Sequence, residues 1–132
     1  MLAGARAQDS GTINYGQQVE IDYLPKNHEE FIAKSSKISA FDWLKEKCGT
    51  MYDQDVRGAL GKMLFSGDDA FKSIQALSGG ETARLILASF LLSAPNFLIF
   101  DEPNNHLDLE AVSALAWGLE DFKGTAIVAA HD

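Results

Sequence analysis

The sequence predicts an α/β architecture: a parallel sheet with helices packed on it, plus a small helical subdomain. Three observations predict it. Residues 97–100, Phe97-Leu98-Ile99-Phe100, form an uninterrupted apolar run that ends in the acidic pair Asp101-Glu102. A short apolar run bounded by turn signals fits a strand buried on both faces, as in a parallel sheet. A second run, Thr125 to Ala130, leads directly into His131-Asp132 and reads as a second buried strand. Between them, Glu110 to Phe122 is amphipathic, with Val112, Leu115, Ala116, Leu119 and Phe122 on one side and Lys123-Gly124 closing it. Strand, helix, strand in this order makes a right-handed βαβ unit with adjacent parallel strands. Asp101, Glu102 and His131 are then expected together at the C-terminal sheet edge, where ligands bind in open α/β sheets. Pro103 is expected to stop the first strand, because it has no N–H for the ladder.

Composition narrows the class. A chain of 132 residues is one domain or part of one. Hydrophobic residues make up 46% and charged residues 23%, which is ordinary for a globular protein. The net charge is −8, from 11 basic and 19 acidic residues, and this argues against a broad electrostatic footprint for nucleic acid. Cys48 is the only cysteine, so neither an intrachain disulfide nor a thiolate zinc cluster can form. The longest apolar stretch, Leu85 to Leu92, is far short of the roughly 20 residues that span a bilayer. Met1 to Arg6 has no apolar core of a signal peptide. The expected location is cytoplasmic, with no direct membrane contact.

The remaining elements follow in order. Asp9-Ser10-Gly11 is a turn signal. Thr12 to Tyr15 and Val19 to Tyr23 read as a β-hairpin joined around Gly16, with Pro25 ending the second strand. Residues 29–76 read as helices and polar loops. Ser39 can cap a helix through Lys47, with Phe41, Leu44 and Cys48 on one face. Asp53 can cap another, with Val56, Leu60, Met63 and Leu64 at helical spacing, broken by Ser66-Gly67-Asp68. Leu77-Ser78-Gly79-Gly80-Glu81 reads as a helix start with a capping box, Ser78 paired with Glu81. Its two glycines exceed what a cap requires. They let backbone amides approach a phosphate closely, at a helix N-terminus whose dipole favours anions. The helix from Glu81 to about Ser93 is apolar nearly all round and is expected to be buried. Ala94-Pro95-Asn96 ends it.

A buried strand that delivers an Asp-Glu pair has the shape of a Walker B motif. Together with Leu77-Ser78-Gly79-Gly80-Glu81 and His131, it resembles the ATP-binding cassette (ABC) ATPases. The form Asp101-Glu102-Pro103-Asn104-Asn105-His106-Leu107-Asp108 is most similar to the ABC-F branch, soluble twin-cassette proteins that act on ribosomes; most members have Thr where this chain has Asn104. The resemblance covers nearly the whole chain. It implies a partial P-loop NTPase (ABC cassette) fold, with residues 1–28 as hairpin and Q-loop region, 29–76 as helical subdomain and 77–132 carrying signature, Walker B, D-loop and switch His. It also implies ATP and Mg²⁺ as cofactors. Asp101 would hold the metal, Glu102 would activate the attacking water, and His131 would donate to the γ-phosphate. Ser78, Gly79, Gly80 and Glu81 would bind, in trans, a γ-phosphate held by an opposite cassette. Asp108, with Asn105, His106 and Leu107, resembles the D-loop at the dimer seam, and Arg84 would support the signature loop. Lys26 of Tyr23-Leu24-Pro25-Lys26 stands where the family's Q-loop has Gln. An ammonium has only donors: it can contact a phosphate but cannot ligate a cation, and a solvated loop residue is the equally open reading.

The family's phosphate loop, G-x-x-x-x-G-K-[ST], does not occur in the sequence. Gly61-Lys62-Met63 lacks both the first glycine and the hydroxyl, and sits inside a helical pattern. The resemblance implies that the chain begins just after the place of that loop, and that alone it binds ATP weakly and does not turn it over. Its expected partners are a second cassette, head to tail in the same parent protein or in a homodimer, and a ribosome through other segments. The expected function is part of an ATP-binding, ATP-hydrolysing ABC-F protein, a ribosome-associated translation factor. The alternatives are a catalytically incompetent cassette acting as a binding or regulatory module, the ATPase subunit of a membrane transporter, and a metal-dependent phosphohydrolase built on His106, Asp108, His131 and Asp132.

Overall fold

Apolar strands need partners on both edges, and the central one here has them. The computed structural model describes residues 7–24, 32, 37–49, 52–102 and 109–129. Three parallel strands, β1 (Ile21–Leu24), β2 (Phe97–Asp101) and β3 (Thr125–Ala129), form a sheet in the order β1-β2-β3. The register runs from Ile21 opposite Phe97 to Leu24 opposite Phe100, and from Phe97 opposite Thr125 to Asp101 opposite Ala129. Leu98, Ile99 and Phe100 are all buried, so β2 is covered on both faces as its unbroken apolar run predicts.

Among the described residues four α-helices accompany the sheet: α1 (Ala40–Cys48), α2 (Asp53–Lys62), α3 (Gly79–Ser93) and α4 (Leu109–Asp121). Short 3₁₀ turns at Gly67–Phe71 and Ile74–Ala76 link α2 to α3. Helix α3 is the hub. Its residues Thr82 to Phe90 are all buried, and α1, α2 and α4 pack on it. Burial on every side follows from an apolar surface that leaves no face for water. The Phe90 and Phe100 rings meet at 6.2 Å and tie α3 to β2. The buried Arg84 guanidinium donates to the Met63 and Leu64 carbonyls and lies 5.4 Å from the Phe65 ring centre. Arg84 therefore fastens α3 to the end of α2.

The helical pair forms much as its pattern predicts. The Ser39 hydroxyl accepts from the Asp42 amide, Phe41 and Leu44 are buried, and Gly49 (φ 63°) caps the end in the left-handed conformation. Cys48 is half-buried, its thiol 3.6 Å from the Ser89 carbonyl. In α2, Val56, Leu60 and Met63 are buried. Asp53 does not cap this helix: it is the first helical residue, Tyr52 takes the cap position, and the Asp53 carboxylate accepts from Lys45 at 2.7 Å. Leu64, at φ 66°, leaves the helical stripe and is exposed. Gly61 and Lys62 are ordinary last-turn helix residues.

Three further expectations are corrected. The hairpin across Thr12–Tyr15 and Val19–Tyr23 does not form. Residues 12–15 are irregular, and the later strand, β1, pairs in parallel with β2 instead. A central apolar strand 76 residues away in register offers more burial than a local partner exposed to water on both faces. Second, β3 is not buried. Every residue of it is exposed, Ile127 at 40% and Val128 at 46%, because β3 is the sheet's edge and no described element covers it. Third, the buried stripe of α4 is narrower than predicted. Ala114 is buried and Leu115 and Phe122 are half-buried, whereas Val112 and Ala116 are exposed; the Leu119 side chain lies outside those described.

One small polar knot sets the strand starts. The Asn96 and Phe97 amides both donate to the Glu20 carbonyl, and the Glu20 amide donates back to the Asn96 side chain at 2.8 Å. Asn96 Nδ2 donates to the Gln18 carbonyl, and the Thr125 amide donates to the Asn96 carbonyl. Gly124 is required there: a β-carbon on it would lie 2.2 Å from the Asn96 carbonyl oxygen.

Candidate functional site

Two polar features stand at element ends. The first is at the C-terminal end of β2. Asp101 is the last strand residue and is half-buried. Tyr23, near the end of β1, donates from its hydroxyl to Asp101 Oδ2 at 3.2 Å. Glu102 follows at φ 48°, and its amide donates to the Ala129 carbonyl at 2.6 Å. A non-glycine residue in the left-handed region costs about 1–2 kcal/mol, and the tie to the end of β3 holds it there. The strand thus ends at Asp101 in a bend at Glu102, one residue before Pro103.

Asp101 and Glu102 occupy the C-terminal sheet edge, as the βαβ reading predicts. Their expected companions Lys26, Asn105, His106, Asp108 and His131 lie outside the described residues. Among the described residues no group of three or more His, Cys, Asp or Glu is arranged to hold a metal ion. That does not count against Mg²⁺, which takes one or two carboxylates and fills its other positions with water and phosphate oxygens. A hard carboxylate at the end of a strand, oriented by a phenol, suits that ion.

The second feature is the start of α3. Ser78 is the N-cap. Its hydroxyl accepts from the Glu81 amide at 3.2 Å, and Glu81 Oε1 accepts from the Ser78 amide at 3.3 Å, so the predicted capping box is complete. The Thr82 hydroxyl donates to the Ser78 carbonyl at 2.8 Å. Gly79 and Gly80 are the first two helical residues, exposed and buried respectively. Amides at this position have no intrahelical acceptor and face the positive end of the helix dipole.

Sequence reasoning missed two residues at these features. Lys72 places its ammonium 3.2 Å from each Glu81 oxygen. No motif spacing marks it, since it comes from the turn before the helix. Tyr23 was legible only as a neighbour of Lys26; its link to Asp101 arises from strand pairing. Burial pushes the Glu81 carboxyl up, but the Ser78 amide, the Lys72 ammonium and the Ser78 hydroxyl outweigh it and hold the group below its ordinary value.

Comparison with known proteins agrees with this arrangement. A family profile described as "ABC transporter" matches residues 1–105. The ABC transporter ATP-binding protein YkpA of Bacillus subtilis (strain 168) is 42% identical over 135 aligned residues, covering 100% of this chain and 24% of that protein. ATP-binding cassette sub-family F member 3 of Mus musculus is 33% identical over 132 residues, covering 100% and 18%. Among solved structures, the complex of an archaeal ribosomal stalk protein with the archaeal ribosome recycling factor aABCE1 superposes with a TM-score of 0.64 at 28% identity, covering 87% of this chain and 22% of that one. The chain spans about a quarter or less of the length of these relatives.

Proposed function

The chain belongs to the ABC transporter family, as a partial cassette of the ABC-F kind, and from that premise we propose that it supplies catalytic and signature groups for ATP hydrolysis between paired cassettes. The observation that carries the reading is the presence on one chain of an Asp-Glu pair at the end of β2 and a diglycine capping box at the start of α3. Phosphoryl transfer needs positioning and charge neutralisation more than covalent chemistry. Asp101, oriented by Tyr23, would hold Mg²⁺, and the bound ion would supply charge neutralisation at the phosphate oxygens. Glu102 accepts a proton from the water that attacks the γ-phosphorus, so that ATP and water give ADP and phosphate. Ser78, Gly79 and Gly80 offer amides and a hydroxyl to a γ-phosphate bound by a partner cassette. The same proposal gives His131 a hydrogen bond to the γ-phosphate, Asp108 a role at the seam between cassettes and Lys26 a phosphate contact, roles that rest on the family pattern of the sequence.

The sequence has no G-x-x-x-x-G-K-[ST] loop, the element whose lysine and amides grip the β- and γ-phosphates. These 132 residues alone therefore bind ATP weakly and do not turn it over. The layout of residues 1–28, 29–76 and 77–132 as Q-loop, helical and signature-to-switch segments belongs to the same proposal. A ribosome is the proposed larger partner and the cytoplasm the proposed compartment. The sub-family F relative and the structural likeness to a ribosome recycling factor support this.

The test uses the complete gene product. Steady-state ATPase activity should fall at least about 100-fold in Glu102→Gln while bound nucleotide is retained. Loss of binding together with activity, or activity indifferent to Glu102, overturns the reading. A wild-type product that binds ATP without hydrolysing it selects the incompetent binding module. Co-sedimentation with ribosomes supports the translation reading. Co-sedimentation with membranes instead selects the transporter, although no described helix is long and apolar enough to cross a membrane.

A further inference from the structure

We propose that Lys72 is a positioning residue for the signature turn: its ammonium neutralises Glu81, so that an acidic residue can stand where a triphosphate must dock. This rests on the reading of the start of α3 as a phosphate receiver. The turn contains an electrostatic conflict. Its amides and helix dipole favour an anion, yet Glu81 puts a full negative charge within the first turn of α3. That carboxylate would repel an incoming phosphate at any effective dielectric between protein and water. Two contacts resolve the conflict. The Ser78 amide draws Glu81 Oε1 back along the cap, and the Lys72 ammonium spans both carboxylate oxygens at 3.2 Å.

Lys72 is itself held in place. Its carbonyl accepts from the Ala40 amide at 2.9 Å, at the first residue of α1. The next residue, Ser73, bridges antiparallel to Ser39, and the Ile74 amide donates to the Ile38 carbonyl. One lysine therefore joins the start of α1 by its backbone to the start of α3 by its side chain. The pair is partly exposed, Lys72 at 40% and Glu81 at 19%, and pairs of that kind contribute little to folding. The benefit lies instead in the charge presented to the ligand.

The test is a charge-swap series in the complete gene product, read as KM for ATP, kcat and thermal stability. Lys72→Met is expected to raise KM about ten-fold, with a much smaller change in melting temperature. Lys72→Arg should recover most of the loss. Lys72→Met combined with Glu81→Gln should return KM to within about three-fold of Glu81→Gln alone, because the neutral amide removes the charge that Lys72 is there to offset. An unchanged KM in Lys72→Met overturns the proposal. So does a double variant as impaired as Lys72→Met, which would mark Lys72 as a purely structural tie. If the wild-type product shows no ATP turnover and no ATP binding, the functional reading fails instead, and the two failures are distinct.

Discussion

The Tyr23 hydroxyl donates to Asp101 Oδ2 across the β1–β2 boundary, at 3.2 Å. The two residues are 78 positions apart, and only parallel pairing of β1 with β2 brings them together. A carboxylate with one oxygen held by a phenol has fewer orientations to lose when it takes up a cation, and outer partners of this kind tune metal affinity. Tyr23→Phe is expected to cost about 0.5–1.5 kcal/mol of stability and to raise the Mg²⁺ concentration for half-maximal nucleotide binding several-fold. Urea unfolding and a Mg²⁺ titration check the two parts separately. An unchanged Mg²⁺ requirement would show that the phenol merely fills space.

Ser78→Ala removes the hydroxyl that receives the Glu81 amide. The expected loss is about 1 kcal/mol, measured by denaturant unfolding. Ser78→Asp, which restores a capping acceptor, should recover that stability and still weaken nucleotide-dependent pairing, because it adds a second negative charge to the turn.

The Glu81 carboxyl is held below its ordinary value of 4.5, since its hydrogen bonds and the Lys72 ammonium outweigh the upward push of burial. A carboxyl that releases its proton more readily in the folded state stabilises the fold above the ordinary value, and loses that contribution as pH falls through its folded value. The stability difference between the native sequence and Glu81→Gln should therefore be flat from about pH 6 to 8 and shrink below about pH 5. A difference that grows toward acid would contradict the contacts described.

Gly124→Ala sets a β-carbon 2.2 Å from the Asn96 carbonyl oxygen and 2.6 Å from the Phe122 ring. The backbone must shift to admit it. That shift disturbs the Thr125–Asn96 hydrogen bond that starts β3. The expected cost is about 2–4 kcal/mol, read as a lowered urea midpoint with an unchanged slope.

Cys48 offers a probe of the seam between α1 and α3. Burial pushes its thiol up, the nearby Asp22 charge adds to this, and Lys47 pulls the other way. With less thiolate present, alkylation near pH 8 should be several-fold slower than for free cysteine and should accelerate on unfolding. A rate equal to that of free cysteine in the folded protein would mean the seam opens readily.

The sequence made some of this legible and left the rest hidden, for physical reasons. Ser78 with Glu81, the all-round apolar helix after them, and the run from Phe97 to Asp101 are local signals, and each produced its element. Asn96, Tyr23 and Lys72 were not legible, because their partners come from other parts of the chain. The hairpin reading failed for the same reason: alternation near Gly16 says that a strand is possible but not which strand it will join. β3 was read as buried because Thr125 to Ala129 has the composition of an interior strand, and burial depends on cover that composition cannot report. Of the candidate site, Asp101, Glu102 and the Ser78–Glu81 turn stand where the sequence reading put them.

The edge position of β3 leaves a trace in its own amides. An edge strand bonds to its single neighbour through alternate residues only. Thr125 donates to the Asn96 carbonyl. By that period Ile127 and Ala129 face β2, and Ala126 and Val128 turn their N–H groups outward. Hydrogen–deuterium exchange along this strand should therefore be fast and slow by turns, while β2 exchanges slowly throughout. Among the described residues no strand pairs with this outward half-ladder, so any strand that extends the sheet beyond β3 must align to Ala126 and Val128, and its arrival would be seen first as protection at those two amides.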